Sequence, residues 1–220
     1  MGQTLLLALC GLFFACIIGL VFGMMSVLKS KVCRAIAQIF VDVVRGVPMI
    51  VLAFFVFFGV PYFFKNVIGR NILLSALTAG TICLALNCGA YMAEIIRAGI
   101  QSVDKGQMEA ARSLGLTYWR SMFRVVLPQA MRIIIPPTGN EAIRTMIPSI
   151  INQFIITLKD TSILSVIGFP ELVNSAKNVV AITFKSFETW LIVGIMYLII
   201  ITALSKLAKV LERRLNRGRQ

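Results

Sequence analysis

Residues 109–128 read Glu109-Ala110-Ala111-Arg112-Ser113-Leu114-Gly115, then nine residues, then Val125-Val126-Leu127-Pro128. This polar segment is set between long apolar runs, and the pattern is that of a short exposed helix. Ala110 and Ala111 let a partner approach closely. Gly115 permits a sharp break after the helix. Glu109 offers a charge that a partner's basic or donor groups can read. By itself the segment reads equally as a docking surface or as a plain amphipathic linker helix.

The composition around it belongs to a membrane protein. Of 220 residues, 58% are hydrophobic and only 14% charged, and mean hydropathy is +0.88. Soluble domains carry roughly a quarter charged residues. The formal net charge is +13, from 22 Lys and Arg against 9 Asp and Glu. These cations cluster at the ends of apolar runs, which suits anchoring to anionic lipid and fixing topology rather than binding nucleic acid. With no histidine, imidazole catalysis and His-based metal sites are excluded, and no other metal site is expected. Four of the five cysteines (Cys10, Cys16, Cys83 and Cys88, with Cys33 the exception) lie inside apolar runs, so packed thiols are expected rather than a disulfide framework. No Gly-rich phosphate loop is present, so no nucleotide site is expected in this chain. The start lacks a basic n-region and a small-x-small site, so no cleaved signal is expected.

Five apolar stretches are long enough to cross a bilayer, at approximately 3–28, 35–64, 71–98, 133–158 and 187–208. The first contains no charge, and along it Gly11, Gly19 and Gly23 stand at multiples of four, a spacing for close helix packing. Between spans three and four lies the polar helix, approximately 104–117. Residues 161–184 hold short apolar pieces with Gly168 and Pro170, which suits a re-entrant or interfacial segment. The basic residues set the orientation. With the N-terminus outside, the inner segments hold Lys29, Lys31 and Arg34, the loop cations from Arg97 to Arg132, and the tail from Lys206 to Arg219; the outer segments hold only Lys65, Arg70, Lys177 and Lys185. The loop and C-terminus are therefore read as cytoplasmic. One local repeat stands out: 129–140 and 141–152 share Ala130/Ala142, Arg132/Arg144, Ile135/Ile147, Pro136/Pro148 and Asn140/Asn152, a short tandem duplication.

Several charged and polar residues fall within or beside spans, where they are costly and often functional. Asp42 and Arg45, like Glu94 and Arg97, lie three apart on one helix face, as structural anchors or as part of a pathway. Pro48 beside Arg45 places a helix-distorting residue next to a charge, as a hinge near a gate needs. Asn87 and Tyr91 share a face and either line a polar path or bond across helices. Lys159, Asp160 and Thr161 interrupt an apolar region and must be paired or wet.

The Glu-Ala-Ala…Gly…Leu-Pro pattern (Glu109, Ala110, Ala111, Gly115, Leu127, Pro128) resembles the signature of the membrane subunits of ABC importers. Val44-Arg45-Gly46-Val47-Pro48, the run from Leu86 to Ile100, Leu158-Lys159-Asp160-Thr161-Ser162 and Leu211-Glu212-Arg213-Arg214-Leu215 are similar to permeases of polar amino-acid importers. The resemblance covers nearly the whole chain. It implies an all-α permease with five transmembrane helices in the bacterial inner membrane, paired with itself or a homologous permease. It implies further partners: an ATPase subunit that holds ATP and Mg and seats the Glu109–Gly115 helix, and an extracytoplasmic amino-acid-binding protein. ATP closing the ATPases would rock the permease outward-facing, and hydrolysis would reset it. The chain departs from the family in its extra 12-residue unit, which leaves open which copy carries the inner-gate contacts. A self-contained ion-coupled carrier or channel is the rival; it calls for inverted repeats and midplane charges. A membrane scaffold without transport is a third reading.

Overall fold

The computed structural model describes residues 1–132 and 146–217. Helix α1 (Gly2–Val27) is followed by α2 (Lys31–Gly46), α3 (Met49–Ile68) and α4 (Ala76–Gln101). The short α5 (Lys105–Ser113) and α6 (118–132) follow. Then come α7 (Met146–Asp160), which continues as a 3₁₀ helix over Thr161–Ile167, α8 (Leu172–Thr183) and α9 (Ser186–Arg217). The described residues contain no strand. Five stretches are long and apolar enough to cross a membrane: Gly2–Val27, Met49–Ile68, Ala76–Gln101, Ser149–Ile167 and Ser186–Val210.

The frame of the bundle is the seam between α1 and α4. On α1, Leu7, Gly11, Ala15, Gly19 and Gly23 recur every fourth residue and are all buried. A Cβ on Gly11 would stand 2.7 Å from the Leu84 Cβ, and one on Gly23 would stand 2.9 Å from that of Ile96. At Gly19 the added carbon would collide with the Met92 Cβ. α4 answers with Gly89, whose missing side chain makes room for Ile18. Small residues let two backbones approach in a bilayer, where hydrophobic driving force between helices is absent. An apolar cluster closes each end of the seam. Leu7, Cys83, Leu84 and Leu164 belong to one, and Met24, Ile96, Ile100 and Met122 to the other.

Local sequence sets the element ends. Ser30 and Ser75 cap α2 and α4, accepting from the backbone N–H of Cys33 and Thr78. The second span departs from the continuous helix expected over 35–64. Val47 is extended (φ −95°, ψ 130°), and a new helix starts from Pro48. The residue before a proline is pushed out of the helical region, and Pro48 has no N–H to continue the ladder. The fourth span departs too. Its expected start, 133–145, lies outside the described residues, and so does most of the first copy of the 12-residue repeat. Its helix runs past 158, so that Lys159, Asp160 and Thr161 sit within the spanning stretch.

Segment 161–184 is the 3₁₀ helix, a left-handed Gly168 (φ +78°) and the amphipathic α8. The start of α8 is a buried polar knot. Glu171, 1% exposed, accepts from the N–H groups of Val173 (2.8 Å) and Asn174 (2.6 Å) and from the Tyr197 hydroxyl (3.4 Å). Thr4 accepts from the Leu172 N–H at 3.1 Å, tying the start of α1 to α8. Burial pushes the Glu171 carboxyl above its ordinary value, against the pull of those donors and of Lys177.

Two tests follow from this packing. Gly19→Leu overpacks the seam and should lower stability by about 1–3 kcal/mol, read as a drop in apparent melting temperature in detergent. Gly194→Ala, where nothing lies within 4 Å, should leave it unchanged or slightly raised. Equal effects would contradict the seam. Glu171 binds its proton more tightly folded than unfolded, so its contribution is full below about 4.5 and is lost as pH rises through the raised value. The melting temperature of the parent relative to Glu171→Gln should therefore rise as pH falls from about 7 toward 4.5. A difference that shrinks over that range would reverse the sign.

Candidate functional site

The break at Val47–Pro48 turns a corner beside the middle of α4 and α7. A cavity of about 530 Å³ lies there. Arg45 and Pro48 line it from the corner, Asn87 and Tyr91 from α4, and Gln153 and Asp160 from α7. Asn87 donates to Asp160 Oδ2 at 3.4 Å, so the amide both lines the cavity and joins two spans. Arg45 stands over the Tyr91 ring, 4.9 Å from its centroid. The walls thus carry one carboxylate, one guanidinium and neutral hydrogen-bonding groups near the middle of the 26-residue α4.

The charges do not pair as their spacing suggests. Asp42 accepts from Gln38 Nε2 at 2.8 Å and makes no ion pair among the described residues. Arg45 reaches instead toward Glu94 on α4, with Nη1 3.8 Å from Oε2. The end of α2 leans on α4 there, which carries the guanidinium over Tyr91 and away from its own helix. Glu94 and Arg97 do pair, through Nε at 3.0 Å and Nη2 at 2.8 Å. Lys159 is exposed off the cavity, and Thr161 is fully buried with its hydroxyl returned to the Leu158 carbonyl at 2.7 Å. Of the pathway candidates, Arg45, Pro48, Asn87, Tyr91 and Asp160 are therefore brought together. Glu94 stands behind them, and Asp42, Lys159 and Thr161 lie outside the cavity wall.

Gln153 is the residue that sequence reasoning missed. It lies seven residues before Asp160, two turns along the same face of α7, and that spacing was the available signal. Its Nε2 and the Thr157 hydroxyl are buried without a hydrogen-bond partner among the described residues.

Beyond the C-terminal end of α4 lies the polar helix. Asp104 caps α5 by accepting from the Gly106 N–H. Ala111 packs inward while Glu109 and Ala110 stay exposed. Gly115 takes the left-handed conformation (φ +85°), and the N–H of Leu116 reaches back to the Ala111 carbonyl at 3.2 Å. This is the αL termination that glycine favours. Gln129 Nε2 donates to Gln107 Oε1 at 3.0 Å, pinning α5 to α6. Leu127 and Pro128 open the last part of α6, and Leu127 packs on the apolar cluster of Met24, Ile96, Ile100 and Met122.

The family model described as "Binding-protein-dependent transport system inner membrane component" matches residues 15–217. The chain belongs to that family. It is 35% identical over 213 residues to the glutamine transport system permease protein GlnP of Escherichia coli (strain K12), covering 97% of this chain and 90% of that one. The crystal structure of an amino acid ABC transporter with histidines superposes with a TM-score of 0.80 at 36% identity, over 97% of this chain and 91% of the other. The MetNI methionine ABC transporter, in inward-facing conformations, shares the fold alone, with a TM-score of 0.73 at 17% identity over 97% and 93% of the two chains. The permease is thus the multi-pass inner-membrane subunit of an ABC importer, and ATP hydrolysis belongs to a separate subunit.

The orphaned hydroxyl of Thr157 generates a prediction. A buried group without a partner costs stability, so the near-isosteric Thr157→Val should be neutral or stabilising by up to about 1 kcal/mol. A clear fall in melting temperature would show that the hydroxyl is bonded.

Proposed function

We propose that the permease carries a polar amino acid into the cytoplasm through the cavity bounded by the corner at Pro48, α4 and α7. The pathway forms with a second permease, either another copy of this chain or a homologue. An extracytoplasmic amino-acid-binding protein delivers the substrate. The N-terminus lies outside and the C-terminus in the cytoplasm, with the cations gathered on the inner side. The exposed face of α5, with Glu109 and Ala110, seats in the ATPase that holds ATP and Mg, and Gly115, Leu127 and Pro128 set that helix against the bundle.

The observation that carries the substrate reading is the pairing of Asp160 and Arg45 on the walls of one cavity among neutral donors and acceptors. A zwitterion needs both signs of charge and hydrogen-bonding groups between them, and ionisable groups at membrane depth are otherwise expensive. GlnP, similar over nearly the full length, is named for glutamine. ATP binding draws the ATPases together and moves the two α5 helices with them, which opens the cavity outward; hydrolysis returns it to the inside.

The docking role is tested by purifying the tagged permease from native membranes in mild detergent beside a Glu109→Lys variant. The parent should retain an ABC ATPase, and the variant should lose most of it while keeping its melting temperature. Retention of the ATPase by the variant would remove Glu109 from the interface. Absence of any ATPase with the parent would point to a self-contained carrier.

A further inference from the structure

Arg45 has a geometry that ion pairing does not explain. It is the cation on the cavity wall, yet among the described residues its guanidinium makes no hydrogen bond. Its nearest carboxylate, Glu94, is 3.8 Å away, beyond hydrogen-bonding distance. Glu94 is already engaged: Arg97 takes both of its oxygens in a fork, and Arg97 Nη1 is itself held by Gln101 Oε1 at 2.9 Å. The three charged groups therefore leave one net positive charge, and it stands at the cavity. The Tyr91 ring lies beneath the guanidinium, 4.9 Å from its central carbon, and attracts it without using its N–H donors. A planar fork with free donors, held in place and facing a polar cavity, matches a carboxylate in bidentate geometry.

Resting on the amino-acid reading above, we propose that Arg45 binds the α-carboxylate of the amino acid in the cavity. Tyr91 is a positioning residue for it. Arg97 is one too, because it keeps Glu94 occupied so that Glu94 does not draw Arg45 off the cavity.

The test uses proteoliposomes holding the complete importer, with saturating binding protein. Uptake of radiolabelled L-glutamine, L-arginine and L-glutamate is measured beside ATP hydrolysis. Arg45→Gln should lower uptake by about ten-fold or more while binding-protein-stimulated hydrolysis persists, because the lost contact is to the substrate and not to the motor. Arg45→Lys keeps the charge without the fork and should fall between. Arg97→Gln should also lower uptake, by freeing Glu94 to capture Arg45, and Glu94→Gln added to Arg97→Gln should restore it. A purely structural role predicts no such rescue, with uptake and hydrolysis falling together; that result would overturn the proposal, as would unchanged uptake in Arg45→Gln. Should Arg45→Gln not assemble, the Arg97→Gln pair decides by the same rescue. Failure of the parent to import any amino acid would instead sink the functional reading, and this inference with it.

Discussion

The hydrocarbon interior offers no water to a backbone amide, so every N–H and C=O at that depth must be satisfied by protein. The constraint forces helices, and it also decides where a helix can stop. The corner at Val47–Pro48 is the place where α2 and α3 part, and it lies on the wall of the polar cavity. The breaking backbone is satisfied locally. The Val47 N–H reaches the Val43 carbonyl at 3.2 Å, and the Pro48 carbonyl accepts from Val51 and Leu52 at 2.9 and 3.1 Å. The proline that ends one helix thus also makes the concavity that the next one borders.

A concavity needs a rigid opposite wall, and the glycine seam supplies it. Gly11, Gly19 and Gly23 bring α1 so close to α4 that side chains would collide there. α4 is thereby fixed from behind while its other face presents Asn87, Tyr91 and Glu94. By contrast Met49–Ile68 and Ser186–Val210 turn almost all of their surface outward. Their apolar composition suits lipid or another permease, and their sparse contacts leave them freer to shift than the α1–α4 pair.

Much of this was legible in the sequence, because the bilayer reduces the fold to a count of apolar lengths. Gly115 likewise marks the end of α5 through cap chemistry, which is local. Tertiary choices were not legible. Spacing alone set Arg45 beside Asp42, and only the lean of α2 on α4 shows why the guanidinium goes to Tyr91 and Glu94. Val47-Pro48 reads equally as a kink or a full break until the surroundings are known. Gln153 looks like any polar residue in an apolar run until α7 is seen to turn it toward the same cavity as Asp160.

α4 links the cavity beside its middle to the polar helix α5 that follows its end. Its C-terminal end turns through Ser102, whose N–H meets the Ala98 carbonyl at 3.1 Å, and leads within three residues to α5. α5 is pinned to α6 through Gln107 and Gln129, and α6 packs in one apolar cluster with Ile96 and Ile100 of α4. A displacement of α5 therefore meets α4 twice, once along the chain and once through packed side chains. From about half a turn to two and a half turns back along α4 from Ile96 stand Glu94, Tyr91 and Asn87, the groups that hold Arg45 and Asp160. α4 is stiffened by its seam with α1, so a push on α5 would be passed along it toward the corner at Pro48 rather than absorbed by bending. Widening that corner would carry Arg45 away from Asp160, and electrostatic interactions across the cavity weaken as the charges part.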